Sequence, residues 1–192
     1  MGTDLTSSHM IEVTFQQKYD PEELLDKVSE FLGATITSGE IYRDDVVIEV
    51  PIEDLRSAME QLKNDLDMAM LVDITSVHWP DDERQFELVY HLRSLSNNLI
   101  IGVKARLADG ESAPSLTPLW KAANWHEREI YDLMGIRFDG HPDLRRILMP
   151  EDYPWHPLRK EFPIEGPDFP IDAYQTDAHH KVEKDDFWDE PD

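Results

Sequence analysis

Residues 70–107 read MLVDITSVHWPDDERQFELVYHLRSLSNNLIIGVKARL, and their periodicity decides the fold. Phe86, Leu88, Tyr90 and Leu92 alternate with Glu87, Val89, His91 and Arg93, the two-residue period of a strand with one covered face. Leu99, Ile101, Val103, Ala105 and Leu107 repeat that pattern. Residues 70–77 are more continuously apolar and read as a central strand. Pro80-Asp81-Asp82 and Ser96-Asn97-Asn98 supply the turns between the three runs.

Upstream, Asp20-Pro21-Glu22-Glu23 predicts a helix start. Asp20 can cap, Pro21 suits the first helical position, and Glu23 can close a capping box. Leu24, Leu25, Val28, Phe31 and Leu32 then form one apolar face, and Gly33 stops the helix. Residues 34–37 and 46–50 read as strands, joined by a turn at Ser38-Gly39 or at Arg43-Asp44-Asp45. Pro51 opens a second predicted helix, with Ile52, Leu55, Met59, Leu62 and Leu66 on one face. Residues 109–114 read as a polar loop. Thr117-Pro118 opens a third helix that runs to Met134 and stops at Gly135. The order α-β-β-α-β-β-β-α predicts an α+β fold: a two-layer domain with a mixed β-sheet and helices on one face.

After Gly135 the character changes. Residues 136–175 hold seven of the thirteen prolines, a density that blocks regular helix and central strand. They also hold Phe138, Leu144, Ile147, Leu148, Tyr153, Trp155 and Leu158, too much apolar surface for a solvated linker. An extended Pro-rich strap over 136–175 is expected, laid on its own domain, on another subunit, or on both. Residues 176–192 read as an acidic flexible tail. Residues 1–10 read as a disordered N-terminus or an expression remnant outside the fold, with no basic-then-apolar secretory pattern.

Charge narrows the function classes. Among 192 residues, 41 are acidic and 18 basic, a formal net charge of −23. Such a surface repels nucleic acid and anionic lipid. Residues 1–100 carry 21 acidic against 7 basic side chains, residues 101–150 carry 7 of each, and residues 151–192 carry 13 against 4. The neutral middle is either the better-packed part or a face that docks another macromolecule. No apolar run approaches the ~20 residues of a membrane span. Without cysteine the chain cannot hold a thiolate-ligated iron–sulfur cluster, and it shows no glycine-rich phosphate loop.

Residues 125–163 read WHEREIYDLMGIRFDGHPDLRRILMPEDYPWHPLRKEFP. Glu127-Arg128-Glu129 with Tyr131-Asp132-Leu133, Gly140-His141-Pro142, Arg145-Arg146-Ile147-Leu148 and the run from His156 through Pro163 follow one another in this order. In these blocks the chain resembles the 30 kDa subunit family of respiratory complex I (NDH-1), the proton-translocating NADH:quinone oxidoreductase. The resemblance implies that residues 11–135 are the domain shared by 30 kDa subunits and that the strap over 136–175 docks on a partner subunit. It implies a scaffold without a redox centre of its own, in the peripheral arm. The implied partners are the 49 kDa-type large subunit and the iron–sulfur subunits. FMN and the clusters would then reside in partner subunits, with NAD and quinone as substrates of the whole complex. The implied location is the cytoplasmic side of the prokaryotic inner membrane or the equivalent organelle face, with membrane association only through the complex. The isolated chain is expected to have no activity. The same blocks suit the equivalent subunit of cyanobacterial and chloroplast NDH, F420H2 dehydrogenases and membrane-bound hydrogenases.

Within those blocks, Glu127, Arg128 and Asp132 read either as a solvated, salt-bridged helix face or as a charged anchor at a subunit boundary, and the resemblance favours the anchor. Arg128 and Asp132 stand four residues apart, a spacing that brings helix side chains together. Arg145, Arg146, Arg159 and Lys160 are expected to pair with carboxylates of this chain or of the large subunit, as the planar fork of arginine suits. With His156 these seven complete the expected subunit-interface set. A rival reading is a metal-dependent hydrolase that gathers His126, Glu129, His141, Asp143 and His156, but no His-Glu-x-x-His pattern supports it. His141-Pro142 and His156-Pro157 read more simply as capped turns. A third reading, an acidic module that mimics nucleic acid, leaves the ordered blocks unexplained.

Overall fold

A computed structural model describes residues 20–164 apart from residue 44. The expectations for residues 1–10 and 176–192, and the strap beyond residue 164, lie outside the described residues. The chain through Lys160 is one compact unit, and the few described residues beyond it belong to a second.

Helix α1 spans Pro21–Leu32. Asp20 caps it by accepting from the Glu22 amide at 2.9 Å, and Leu24, Val28 and Leu32 form its buried stripe. Gly33, at φ 56°, ends the helix and starts one 3-10 turn, Gly33–Thr35. Here the structure departs from the expected strand over 34–37. The hairpin sits later, with β1 at Ser38–Tyr42 and β2 at Asp45–Glu49, so the turn falls at Arg43. Gly39 has a packing reason: a Cβ there would stand 2.7 Å from Leu25 Cδ1, so α1 lies directly on β1.

Helix α2, Leu55–Asp65, buries Leu55, Ala58, Met59 and Leu62. It begins four residues later than Pro51 suggested. Strands β3 (Met70–His78), β4 (Phe86–Ser94) and β5 (Leu99–Leu107) follow, and the sheet order is β1-β2-β5-β4-β3. Within this sheet β2 and β5 run parallel and the other pairs antiparallel, which makes it mixed as expected. The expectation that residues 70–77 form a central strand is corrected: β3 is an edge strand. Its run is interrupted by Asp73, and a bulge at Val72 throws its alternation out of step with β4. The centre belongs to β4 and β5, whose alternation is complete.

That alternation separates the two faces. Phe86, Leu88, Tyr90 and Leu92 on β4, Ile101, Val103, Ala105 and Leu107 on β5, and Val46 and Ile48 on β2 are at most 1% exposed. They form one core cluster with the buried stripes of the helices, so the fold is α+β with its helices on one sheet face. Helix α3 runs Ala123–Met134, not from Thr117. Pro118 opens only a turn closed by the Leu119 and Trp120 amides on Leu116 O, after which the chain breaks and Trp120 enters the core, its indole donating to Ala69 O at 3.1 Å. Two three-residue strands within or beside predicted loops, β6 (Ser112–Pro114) and β7 (Arg137–Asp139), pair in parallel beside α3.

Candidate functional site

A helix leaves its last four carbonyls without intrahelical partners. In α3 these are the carbonyls of residues 131–134, and all four are satisfied. The Gly135 amide donates to Tyr131 O at 3.0 Å, and the remaining three carbonyls are taken by the Pro-rich segment. Asp132 O accepts from Arg146 Nη1 at 3.0 Å and His156 Nδ1 at 2.9 Å. Leu133 O accepts from the Leu158 amide at 3.0 Å, and Met134 O from Arg159 Nε at 2.7 Å. Two guanidiniums thus sit at the negative end of the helix dipole, where cations are favoured.

Gly135 makes the crossing possible. Its φ of +80° is a left-handed helix stop, and a Cβ there would stand 2.6 Å from His156 Cδ2 and 2.9 Å from Arg159 Nη2. One residue therefore ends α3 and lets the segment lie against its backbone.

Asp132 is the centre of the joint. Its side chain has no accessible surface. Oδ1 accepts from Arg146 Nη1 at 2.6 Å, and Oδ2 accepts from three successive amides, Ile147 at 3.0 Å, Leu148 at 2.7 Å and Met149 at 2.9 Å. Burial pushes this carboxyl upward, but the three amides and the guanidinium outweigh it and hold it below the usual range. Arg146 also donates to Tyr153 O at 2.5 Å and Trp155 O at 3.3 Å. Arg128 donates to the carbonyls of Arg145 and Arg146 at 3.1 and 3.2 Å, and its guanidinium lies over the Trp125 ring. The expected four-residue contact of Arg128 with Asp132 is replaced by these longer-range bonds: both side chains hold the segment instead of each other.

The far end is pinned as well. Arg159 reaches Asp109 at 2.9 and 3.3 Å and lies over the Phe86 ring. The Lys160 amide donates to Nδ1 of His78, a buried histidine stacked on Phe86. His156 carries a lowered pKa, first because it is buried and then because Arg146 and Arg159 repel a further positive charge. It is a neutral donor through Nδ1.

Glu127 forms a second buried centre on α3. Oε2 accepts from Ser115 Oγ and Oε1 from the Leu116 amide, each at 2.7 Å. No lysine or arginine pairs with it among the described residues. His141 Nε2 lies 4.0 Å from Oε2 and donates to Asn124 O at 3.2 Å, while its Nδ1 accepts from the Asp143 amide. The buried hydroxyl of Tyr90 has no hydrogen-bond partner among the described residues, and its pKa is raised by burial and by the charge of Glu127. Burial likewise raises Glu127 to about 7, against the lowering effect of its two donors.

The expected interface residues therefore divide. Glu127 and Asp132 have no accessible surface, and Arg128 is buried. Arg146, His156 and Arg159 each donate to the carbonyl end of α3, and Arg159 also reaches Asp109. Arg145, paired with Asp143 at 3.0 Å, and Lys160 are exposed. Three of the four expected cations find carboxylates within this chain, as Asp143, Asp132 and Asp109. The imagined metal ligands are not brought together: among the described residues no group of three or more His, Cys, Asp or Glu side chains is placed to hold a metal. Ser115, His78 and Asp109 were not foreseen. Their only sequence signal is a polar residue beside an apolar run. Beside the joint stand exposed apolar side chains, Trp125, Leu148 and Leu158.

The fold is an α+β platform whose last helix is capped by a charge-fixed Pro-rich segment, and similarity to known proteins says which family it belongs to. Residues 48–168 match the family model described as respiratory-chain NADH dehydrogenase, 30 Kd subunit, and the chain belongs to that family. It is 44% identical over 128 residues to the NADH-quinone oxidoreductase C subunit of Citrifermentans bemidjiense, covering 66% of this chain and 80% of that one. It is 38% identical over 141 residues to the same-named protein of Agrobacterium fabrum, covering 72% and 70%. A solved chain from the membrane-bound sulfane sulfur reductase, an archaeal respiratory membrane complex, shares the fold with a TM-score of 0.64 at 26% identity, over 74% of this chain and 85% of that one.

Proposed function

We propose that this chain is a non-catalytic scaffold subunit in the peripheral arm of a proton-translocating NADH:quinone oxidoreductase. It holds the 49 kDa-type large subunit and its iron–sulfur neighbours in the geometry that electron transfer to quinone requires. FMN and the clusters belong to those partners, and the isolated chain turns over nothing by itself. No helix among the described residues is long and apolar enough to cross a membrane. In this reading the chain reaches the cytoplasmic membrane face through the complex.

The observation that carries this reading is the joint at the end of α3. Five charged or polar side chains hold the irregular chain by hydrogen bonds, and Leu148 and Leu158 on it are turned outward, 61% and 57% exposed. Apolar side chains on a pre-ordered backbone bind with little ordering cost. Lys160 adds an exposed cation on an acidic protein, which suits a carboxylate of a partner. A second reading, the equivalent subunit of a complex with another electron donor, draws on the likeness to the sulfane sulfur reductase chain.

Affinity purification of this chain from its native host in mild detergent, followed by mass spectrometry, tests both. Recovery of a large subunit with cysteine-rich cluster proteins and an NADH-oxidising flavoprotein is expected. A different electron-input subunit selects the second reading. Recovery of the chain alone refutes both.

A further inference from the structure

The sheet face away from the helices carries a feature that the α3 joint does not use. Met70, Arg93 and Ile100 are cross-strand neighbours in one row, on β3, β4 and β5. Residues opposite each other in a ladder point to the same face. Their neighbours one step along the strands, Leu71, Leu92 and Ile101, are core residues, so this row faces outward. Met70 is 43% and Ile100 42% exposed, and Leu95 in the adjoining turn is 64% exposed. Val72, displaced by the bulge, adds a fourth exposed apolar side chain at the same end. Two exposed apolar side chains thus flank Arg93 in the row, and Val72 and Leu95 add two more near the same end of the strands.

Arg93 differs from the other cations of this face. Lys104 pairs with Glu40, and Arg106 pairs with Asp82 and Glu87. Among the described residues, Arg93 meets the neutral Asn98 Oδ1, at 3.1 Å, and no carboxylate, and its Nε is buried with no partner. A guanidinium half-withdrawn from water without a carboxylate, in a chain of net charge −23, is unpaired against the local trend. The bulge at Val72 also interrupts the open β3 edge, which disfavours strand addition and leaves side-chain docking.

We infer that the row Met70–Arg93–Ile100, with Val72 and Leu95, docks another subunit through an apolar segment that presents an Asp or Glu carboxylate to Arg93. The flanking apolar side chains remove water from the pair, and the fork of Arg93 receives the carboxylate at two points. This surface is separate from the α3 joint, and it rests on the assembly reading above in requiring a neighbouring subunit.

The test places a photo-crosslinking residue at Ile100 in the chain as assembled in its native complex, alongside Arg93→Glu and Met70→Asp. Crosslinks into a carboxylate-bearing stretch of another subunit are expected, with the yield cut more than about tenfold by Arg93→Glu. Met70→Asp, which leaves Arg93 in place, should cut it as well. Crosslinks confined to this chain or to a second copy of it overturn the inference, as does an unchanged yield in both variants. Normal co-purification of the complex with no such crosslink refutes this surface alone. Failure of the unmodified chain to join any complex refutes the assembly reading with it.

Discussion

Asp132 Oδ1 and Arg146 Nη1 stand 2.6 Å apart across the joint between α3 and the Pro-rich segment, and both residues also bind that joint's backbone. A single carboxylate therefore organises irregular chain from Ile147 to Met149, while a single guanidinium ties Tyr153 and Trp155 back to the same helix end. Removing the carboxylate strands a nearly buried guanidinium and three amides. Asp132→Ala is expected to destabilise the chain by about 3–5 kcal/mol, the usual cost of breaking a buried pair from one side. Denaturant unfolding checks it, and a loss under about 1 kcal/mol would show that the pair is not structural.

Gly135→Ala tests the crossing itself. The left-handed φ alone costs an L-residue about 1–2 kcal/mol. The added Cβ must also displace His156, so the total should exceed that of an alanine placed at Gly110, where φ is +81° but nothing lies within 4 Å. Thermal unfolding of the two variants side by side reads the difference.

Much of this was legible in sequence, and the failures have physical causes. The full alternation of β4 and β5 is set by one covered face and one wet one, so pattern sufficed. The helix start at Asp20 is local chemistry and was equally readable. Residues 70–77 were misplaced because a nearly continuous apolar run does not say whether its second face is covered by protein. Pro118 marked a turn, not the first residue of α3, because Trp120 has to leave the helical path to enter the core. The joint was hardest. Asp132 and Arg146 are fourteen residues apart, and no periodicity links a helix carboxylate to amides in irregular chain. The charged residues in this stretch suit carboxylates of this chain or of a partner equally in sequence, and the structure pairs many of them within the chain.

Glu127 predicts a pH dependence of definite sign. Its carboxyl rises from 4.5 to about 7 on folding, so the folded state binds the proton more tightly. The corresponding stability is complete below pH 4.5 and is lost as pH rises through about 7, a change of about 3 kcal/mol by linkage. Glu127→Gln keeps an acceptor within reach of the same donors and cannot ionise. Its stability should exceed that of the parent above pH 7 and lack the decline between. Parallel curves for the two proteins would disprove the assignment.

His156 has the opposite sign. Its folded pKa lies below the ordinary 6.5, so its contribution is complete above that value and is lost as pH falls through the lowered pKa. In a Glu127→Gln background, where the opposing titration is absent, the protection of the Leu158 amide relative to its intrinsic exchange rate should fall on acidification below the ordinary histidine value. No change at that amide would mean the histidine does not hold the segment.

The segment through Lys160 is bound to its own helix, so it is expected to be ordered without a partner. In the free chain the amides of Ile147, Leu148, Met149 and Leu158 should exchange more slowly than those of exposed loops such as Asp109 and Gly110. Uniformly fast exchange from residue 141 to 160 would assign its folding to assembly.

The proposed role in assembly rests on the joint between Asp132 and Arg146. The most direct measurement is the amount of intact complex, together with the apparent quinone affinity of whatever assembles, in native-host cells carrying Arg146→Ala. A severalfold loss of assembled complex is expected, with quinone affinity unchanged in the remainder. Wild-type levels of complex with a selectively altered quinone affinity would contradict it.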